Sequence, residues 1–213
     1  DTTLIVPTVL LDNIVDLFGK PAPSNGERPI TLLSMIYRLY TRVYGKEVTR
    51  WEEAQAAYWD NALPGKSAQQ AAVLHVLKDE LDVLDGFHTI GVMMDMEKFY
   101  DLMKPLALIR AVRAQGFPKR TFIISILFHY SPKHLRAHGC YAPPSYPSTS
   151  ICAGCRHGHD FTKLYFFEVI KDMYETYRGY PIKTYFDDIT LRASNTSKRL
   201  LITGTEVVTA RLV

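Results

Sequence analysis

The stretch Pro181-Ile182-Lys183-Thr184-Tyr185-Phe186-Asp187-Asp188-Ile189-Thr190-Leu191-Arg192 holds two short runs of β-branched and aromatic residues around a pair of aspartates. Such residues favour a pleated strand, and Gly179-Tyr180-Pro181 just before them is turn chemistry. The runs 182–186 and 189–192 therefore read as the strands of a hairpin with two adjacent carboxylates at its tip. Upstream, Phe161 to Arg178 has helical spacing. Further upstream, Phe87-His-Thr-Ile-Gly-Val-Met-Met-Asp95 is a short apolar run bounded by Gly86, which predicts a buried strand ending at Asp95. If that strand neighbours the hairpin in one sheet, Asp95 meets Asp187 and Asp188. Carboxylates that converge repel one another unless cations lie between them. Magnesium is the oxygen-loving ion that suits such a set. Two such ions can activate an attacking 3′-hydroxyl and stabilise a pyrophosphate leaving group. Taken singly, an Asp-Asp pair is a common turn and an Asp after a strand a common helix cap. The combination carries the argument.

The remaining pattern predicts an α+β fold, a small antiparallel sheet packed on helices. Leu32, Leu33, Ile36, Leu39, Tyr40 and Val43 share a helical face from Thr31, with Gly45 as the stop. Residues 20–29 read as a turn and 51–62 as helix. Ser67 and Gln70 form a capping box opening a helix through Leu81. Pro105 opens a helix that Gly116 ends, and Pro118 opens another to about Tyr130. Residues 131–150, with four prolines, read as an irregular loop.

The chain has 213 residues, 47% of them hydrophobic, enough for a packed core. Its formal charge of +3 permits a nucleic-acid partner without arguing for one. Three cysteines do not make a disulfide framework, so a reducing, intracellular compartment (nucleus or cytoplasm) is expected. No stretch approaches the apolar length of a membrane span. The chain begins with Asp rather than Met and reads as an excerpt of something longer.

Asp95-Met-Glu-Lys-Phe-Tyr100-Asp101 resembles the first catalytic motif of reverse transcriptases, and Tyr185-Phe-Asp187-Asp188 resembles their Tyr-x-Asp-Asp motif. Arg28-Pro-Ile-Thr-Leu-Leu33 with Tyr37-Arg38, and Leu63-Pro-Gly-Lys-Ser67 with Gln69-Gln70, resemble the fingers segments, in the family's order. The resemblance implies a retroelement-type polymerase with fingers over residues 1–86 and palm over 87–213, without a thumb. It implies that Asp95, Asp187 and Asp188 hold two Mg2+ ions. It implies that Tyr100 lies beneath the sugar and excludes a 2′-hydroxyl, that Arg28 and Lys20 neutralise the triphosphate, and that Gly154 shapes the nucleotide floor. The implied partners are an RNA or DNA template with primer and deoxynucleoside triphosphates.

Two features depart from the family. Ala153 stands before Gly154 where the family has Gln, and its following Ser-Pro is absent, as in a truncated or degenerate copy. Other readings stay open. Gly158-His-Asp-Phe-Thr162 fits the Gly-x-x-x-Thr of viral RNA-dependent RNA polymerases. Cys152, Cys155, His157 and His159 offer four zinc ligands within eight residues. Gly65-Lys66-Ser67 ends like a P-loop but lacks the earlier Gly. Arg110, Arg113, Lys119, Arg120, Lys133, His134 and Arg136 form either a template-side patch or a solvated helix face. A non-catalytic nucleic-acid-binding domain is the plainest alternative.

Overall fold

The computed structural model describes residues 6–7, 10–19, 26–63, 65–96, 99–185 and 188–212. In chain order its elements are β1 (Asn13–Gly19), β2 (Glu27–Leu32), α1 (Met35–Val43), α2 (Gly45–Ala54), α3 (Ala68–Leu84), β3 (His88–Asp95) and α4 (Pro105–Ala114). There follow α5 (Lys119–His129), β4 (Lys133–Ala137), β5 (Cys140–Tyr141), α6 (Gly158–Thr176), β6 (Ile182–Tyr185), β7 (Asp188–Asn195) and α7 (Lys198–Leu212). The α+β class expected from the sequence is the observed one. Two compact units form, each from two separated stretches: Asp1–Glu52 with Lys98–Tyr165, and Glu53–Glu97 with Phe166–Val213.

The first unit carries a sheet of order β2-β1-β4-β5. β1 and β2 are antiparallel, with Phe18 opposite Arg28, whereas β1 and β4 run parallel. Asn13 is fully buried where β1 begins, and its amide donates to Phe128 O at 2.8 Å and Ser131 Oγ at 2.7 Å. Tyr37 stacks on Phe128 at 4.5 Å beside Cys155. Phe161 at the start of α6 takes Phe117, Phe122 and His129 edge-on. Aromatic edges carry partial positive charge, so this geometry is favourable beyond the area buried.

Four expectations change here. The helix foreseen from Thr31 starts at Met35, because Thr31 and Leu32 pair with Val15 and Ile14 in the β1–β2 ladder. Its buried residues are Tyr37 and Thr41, while Ile36, Leu39 and Val43 face outward. Gly45 opens α2 instead of closing the chain's helical run. A β-carbon there would lie 2.9 Å from Arg156 Nη2, so glycine lets the two segments approach. The stretch 131–150 contains β4 and β5, which no local signal announced.

The second unit holds the antiparallel sheet β3-β7-β6. Strand residues alternate between faces. Ile189, Leu191 and Ala193 of β7 are buried on one side, where Ile189 and Leu191 meet Ile182, Ile170, Met173 and Val208. Val92 and Met94 pack against the same core. Asp188, Thr190 and Arg192 take the other face. There Arg192, a residue only 6% exposed, donates from its guanidinium to Asp79 Oδ1 and Asp82 Oδ2 of α3, each at 2.6 Å. β3 is therefore half-buried rather than covered on both faces: Met93 is 81% exposed. The helix expected over 51–62 stops at Ala54. Beyond it Trp59–Asn61 pairs with the β6 edge, Thr184 N donating to Trp59 O at 2.8 Å and Asn61 N to Thr184 O at 2.9 Å. Those bonds occupy the Trp59 carbonyl and the Asn61 N–H, which a continuing helix would need for its own ladder.

Candidate active site

The antiparallel register sets Asp95, the last residue of β3, directly opposite Asp188, the first of β7. On the other flank of β7, Tyr185 stands opposite Asp188. Residues directly opposed in such a ladder point to the same face, with β-carbons roughly 5 Å apart. Both aspartates are exposed. They share the face of Gly91, Met93, Thr190 and Arg192. At one end of that face His75 of α3 approaches, 3.5 Å from the position of a Gly91 β-carbon. The two carboxylates lie at the opposite end of the strands. Like charges directly opposed in a sheet destabilise it unless a cation intervenes. The donors are hard oxygens on rigid strand ends, a set that fits a magnesium-like ion.

Asp187 and Lys20 lie outside the described residues, so only Asp95 and Asp188 of the expected carboxylate triad are placed. Tyr100, Arg28 and Gly154 belong to the first unit and are placed within it. Tyr100 Oη meets His159 Nδ1 at 3.0 Å, and its ring edge is 3.7 Å from where a Gly158 β-carbon would stand. His159 was visible in the sequence only as a zinc candidate. Its contact with Tyr100, 59 positions away, has no local signal. Gly154 adopts φ +93, a region where a side chain is strained, and a β-carbon there would be 3.7 Å from Thr31 O of β2. Arg28 is exposed on the same strand.

The other candidate sites resolve into ordinary contacts. Cys155 Sγ lies 3.0 Å from Tyr37 Oη, and burial pushes its thiol up to about 12. His157 Nδ1 meets Asp160 Oδ2 at 2.9 Å, and Cys152 N–H donates to His129 Nδ1 at 2.6 Å. Among the described residues no group of three or more His, Cys, Asp or Glu side chains is placed to hold a metal ion. Ser67 caps α3, its Oγ accepting from Gln70 N at 3.1 Å, which is the capping box rather than a phosphate loop. Within the basic set, Arg136 is bonded to Asp16, whose carboxyl is held below its usual range by that bond, and His134 Nε2 is 3.7 Å from Asp12. No described helix is long and apolar enough to cross a membrane.

A sheet with opposed acidic strand ends on its open face, backed by helices, is the architecture of a polymerase palm. Residues 19–212 match the family described as reverse transcriptase (RNA-dependent DNA polymerase), and the chain belongs to that family. Its fold is similar to that of apo telomerase from Candida tropicalis truncated from the C-terminal domain, with TM-score 0.65 and 15% identity over 96% of this chain and 47% of that one. It is also similar to Candida tropicalis telomerase in complex with a fragment of telomeric RNA. The TM-score is 0.63 and the identity 10%, over 92% of this chain and 38% of the other. The chain thus spans less than half the length of these solved relatives. No curated protein matches it in sequence.

Proposed function

We propose that the chain is the fingers (residues 1–86) and palm (residues 87–213) of an RNA-dependent DNA polymerase. It adds deoxynucleotides to a primer 3′ end on an RNA template. The observation that carries this is the Asp95–Asp188 register on the open face of β3 and β7. Membership of the family and the telomerase-like fold support it, as does the RNA-bound state of one telomerase relative.

In this reading Asp95, Asp187 and Asp188 hold two magnesium ions. When bound, those ions supply charge neutralisation to the attacking and leaving oxygens. The chain's own residues do the rest. Arg28 and Lys20 are the cations for the triphosphate, which accepts several charge-assisted bonds. Tyr100, fixed by His159, blocks a 2′-hydroxyl, and Gly154 keeps the floor low enough for the nucleotide.

The test is primer extension on an RNA template with deoxynucleotides or ribonucleotides, beside Mn2+ binding followed by electron paramagnetic resonance. Extension with deoxynucleotides only, lost in Asp95→Asn and in the double variant Asp187→Asn with Asp188→Asn, is the expected result. Tyr100→Ala should admit ribonucleotides. A folded chain whose extension survives the aspartate changes, or whose Mn2+ binding is indifferent to them, refutes the assignment. Extension with ribonucleotides alone would move it to the RNA polymerases.

A further inference from the structure

On the other side of the β3-β7-β6 sheet from Asp95 and Asp188, the second unit holds an open cleft of about 660 Å³. That is a size suited to a small organic group. Trp59, Phe167 and Tyr174 form its aromatic wall, and Lys171, Glu175 and Arg178 of the α6 end form its rim. Trp59 stands 5.3 Å from Tyr174 and 5.6 Å from Phe167, ring to ring, so the wall is a connected array. The array continues outward to Tyr58, 5.6 Å from Tyr174 and 68% exposed. Over the Tyr58 ring lies the Lys183 ammonium, at 3.7 Å, which also donates to Tyr58 O at 2.8 Å.

The backbone explains why these rings gather there. Pairing of Trp59–Asn61 with the β6 edge pins Tyr58 and Trp59 at the flank of the sheet. The spacing of Phe167, Lys171 and Tyr174 sets them on one face of α6. Trp59 turns its inner side to the Ile170–Met173–Ile182 core and its outer side to the cleft. The electrostatics favour an anion. Lys183, opposite Thr190 in the ladder, shares the Asp188 face and reaches Tyr58 only around the β6 edge, so the cleft's charge is that of its own lining. That lining carries the cations Lys171 and Arg178 against Glu175 alone.

Stacked rings beside spaced cations are what a single-stranded nucleic acid requires: faces for its bases, charges for its phosphates. An apolar peptide would use the rings but leave the cations without partners. We infer that this cleft is a second nucleic-acid contact, in which one base of a single strand stacks against Trp59 and Tyr174 while flanking phosphates reach Lys171 and Arg178. It would hold a single strand on the face of the sheet away from Asp95 and Asp188. It does not depend on the polymerase reading, because neither a metal ion nor a nucleoside triphosphate takes part in it.

The test uses the whole chain in EDTA, with Trp51→Phe so that Trp59 is the sole tryptophan. Short oligouridylate is titrated while tryptophan emission is followed, and a 5-iodouridine version maps contacts by photo-crosslinking. Trp59 emission should be quenched and crosslinks should fall on peptides containing Tyr58, Trp59 or Tyr174. Tyr174→Ala should weaken binding roughly tenfold, within the range for loss of one stacked base. Lys171→Ala with Arg178→Ala should lower the slope of log affinity against log salt by about 1.4, at about 0.7 per phosphate contact on a single strand. Asp188→Asn should change none of these, which separates this site from the proposed reaction centre. If Tyr174→Ala fails to fold, the two surface cations still decide. An unchanged salt slope, or crosslinks confined to residues 95–101, overturns the inference. So does an acidic tryptophan-containing peptide that binds in a Tyr174-dependent way where the oligonucleotide does not.

Discussion

His129, the last residue of α5, makes folding of this chain sensitive to mild acid. The ring is fully buried, and Cys152 N–H donates to its Nδ1 at 2.6 Å. A backbone amide can only donate, so Nδ1 is the acceptor and the neutral ring carries its proton on Nε2. That Nε2 has no hydrogen-bond partner among the described residues. A second proton would have to enter at Nδ1 and set N–H against N–H. Burial opposes the charge most, followed by the Lys133 and His157 charges, and the pKa falls from 6.5 to about 3. In the unfolded chain the ring takes up its proton as pH drops through 6.5; in the folded chain it does so only near 3. The unfolded state binds more protons throughout that window, so stability rises with pH across it. The contribution is complete above 6.5 and is lost as pH falls toward 3. Each unit of difference is worth about 1.4 kcal/mol. At pH 5, one and a half units below the unfolded value, the loss is about 2 kcal/mol. Urea denaturation at pH 7.5 and 5.0 measures it. With a slope near 2 kcal/mol per molar, the midpoint should fall by about 1 M. The carboxylates of Asp16 and Asp82, paired with Arg136 and Arg192, titrate below 3.8 and stay out of this window. His129→Asn keeps an acceptor for Cys152 N–H but cannot titrate. It should be less stable at pH 7.5 and nearly flat between the two pH values. Equal losses in wild type and His129→Asn would refute the reasoning.

Arg192→Met should lower the melting temperature by leaving Asp79 and Asp82 adjacent without their cation. Adding Asp79→Asn and Asp82→Asn should recover part of the loss, since removing one partner of a buried pair costs more than removing all of it. Gly204→Ala, ordinarily worth a gain of about 1 kcal/mol in a helix, should instead destabilise by about 1–3 kcal/mol. Its β-carbon would overlap the Tyr180 hydroxyl and lie 2.7 Å from Cζ, and Tyr180→Leu should return the sign to a gain in thermal melts. A thiol reagent should label Cys140 rapidly and Cys152 and Cys155 only after denaturation; at pH 9 Cys155 should remain unreactive in the folded chain, its pKa being about 12. Fast labelling of all three would contradict the burial described.

Local chemistry determined much of this protein. Ser67 and Gln70 start α3, Pro105 and Gly116 bound α4, and the β-branched runs about Asp187 and Asp188 form the hairpin, because caps, turns and side-chain period act within a few residues. Sequence period also placed Asp95 at a strand end. Three things were beyond its reach. The parallel pairing of β1 with β4 joins residues 120 positions apart, as between Asp16 and Arg136, and leaves no mark on the composition of 131–150. The orientation of α3 has no local signal: ion pairs with Arg192 draw Asp79 and Asp82 toward the sheet, and Leu74, Leu77 and Leu81 face outward. The opposition of Asp95 to Asp188 is a matter of register. A strand's alternation fixes which side chains share a face, but a slip along the partner strand changes which residues meet, and only the packed sheet selects one pairing.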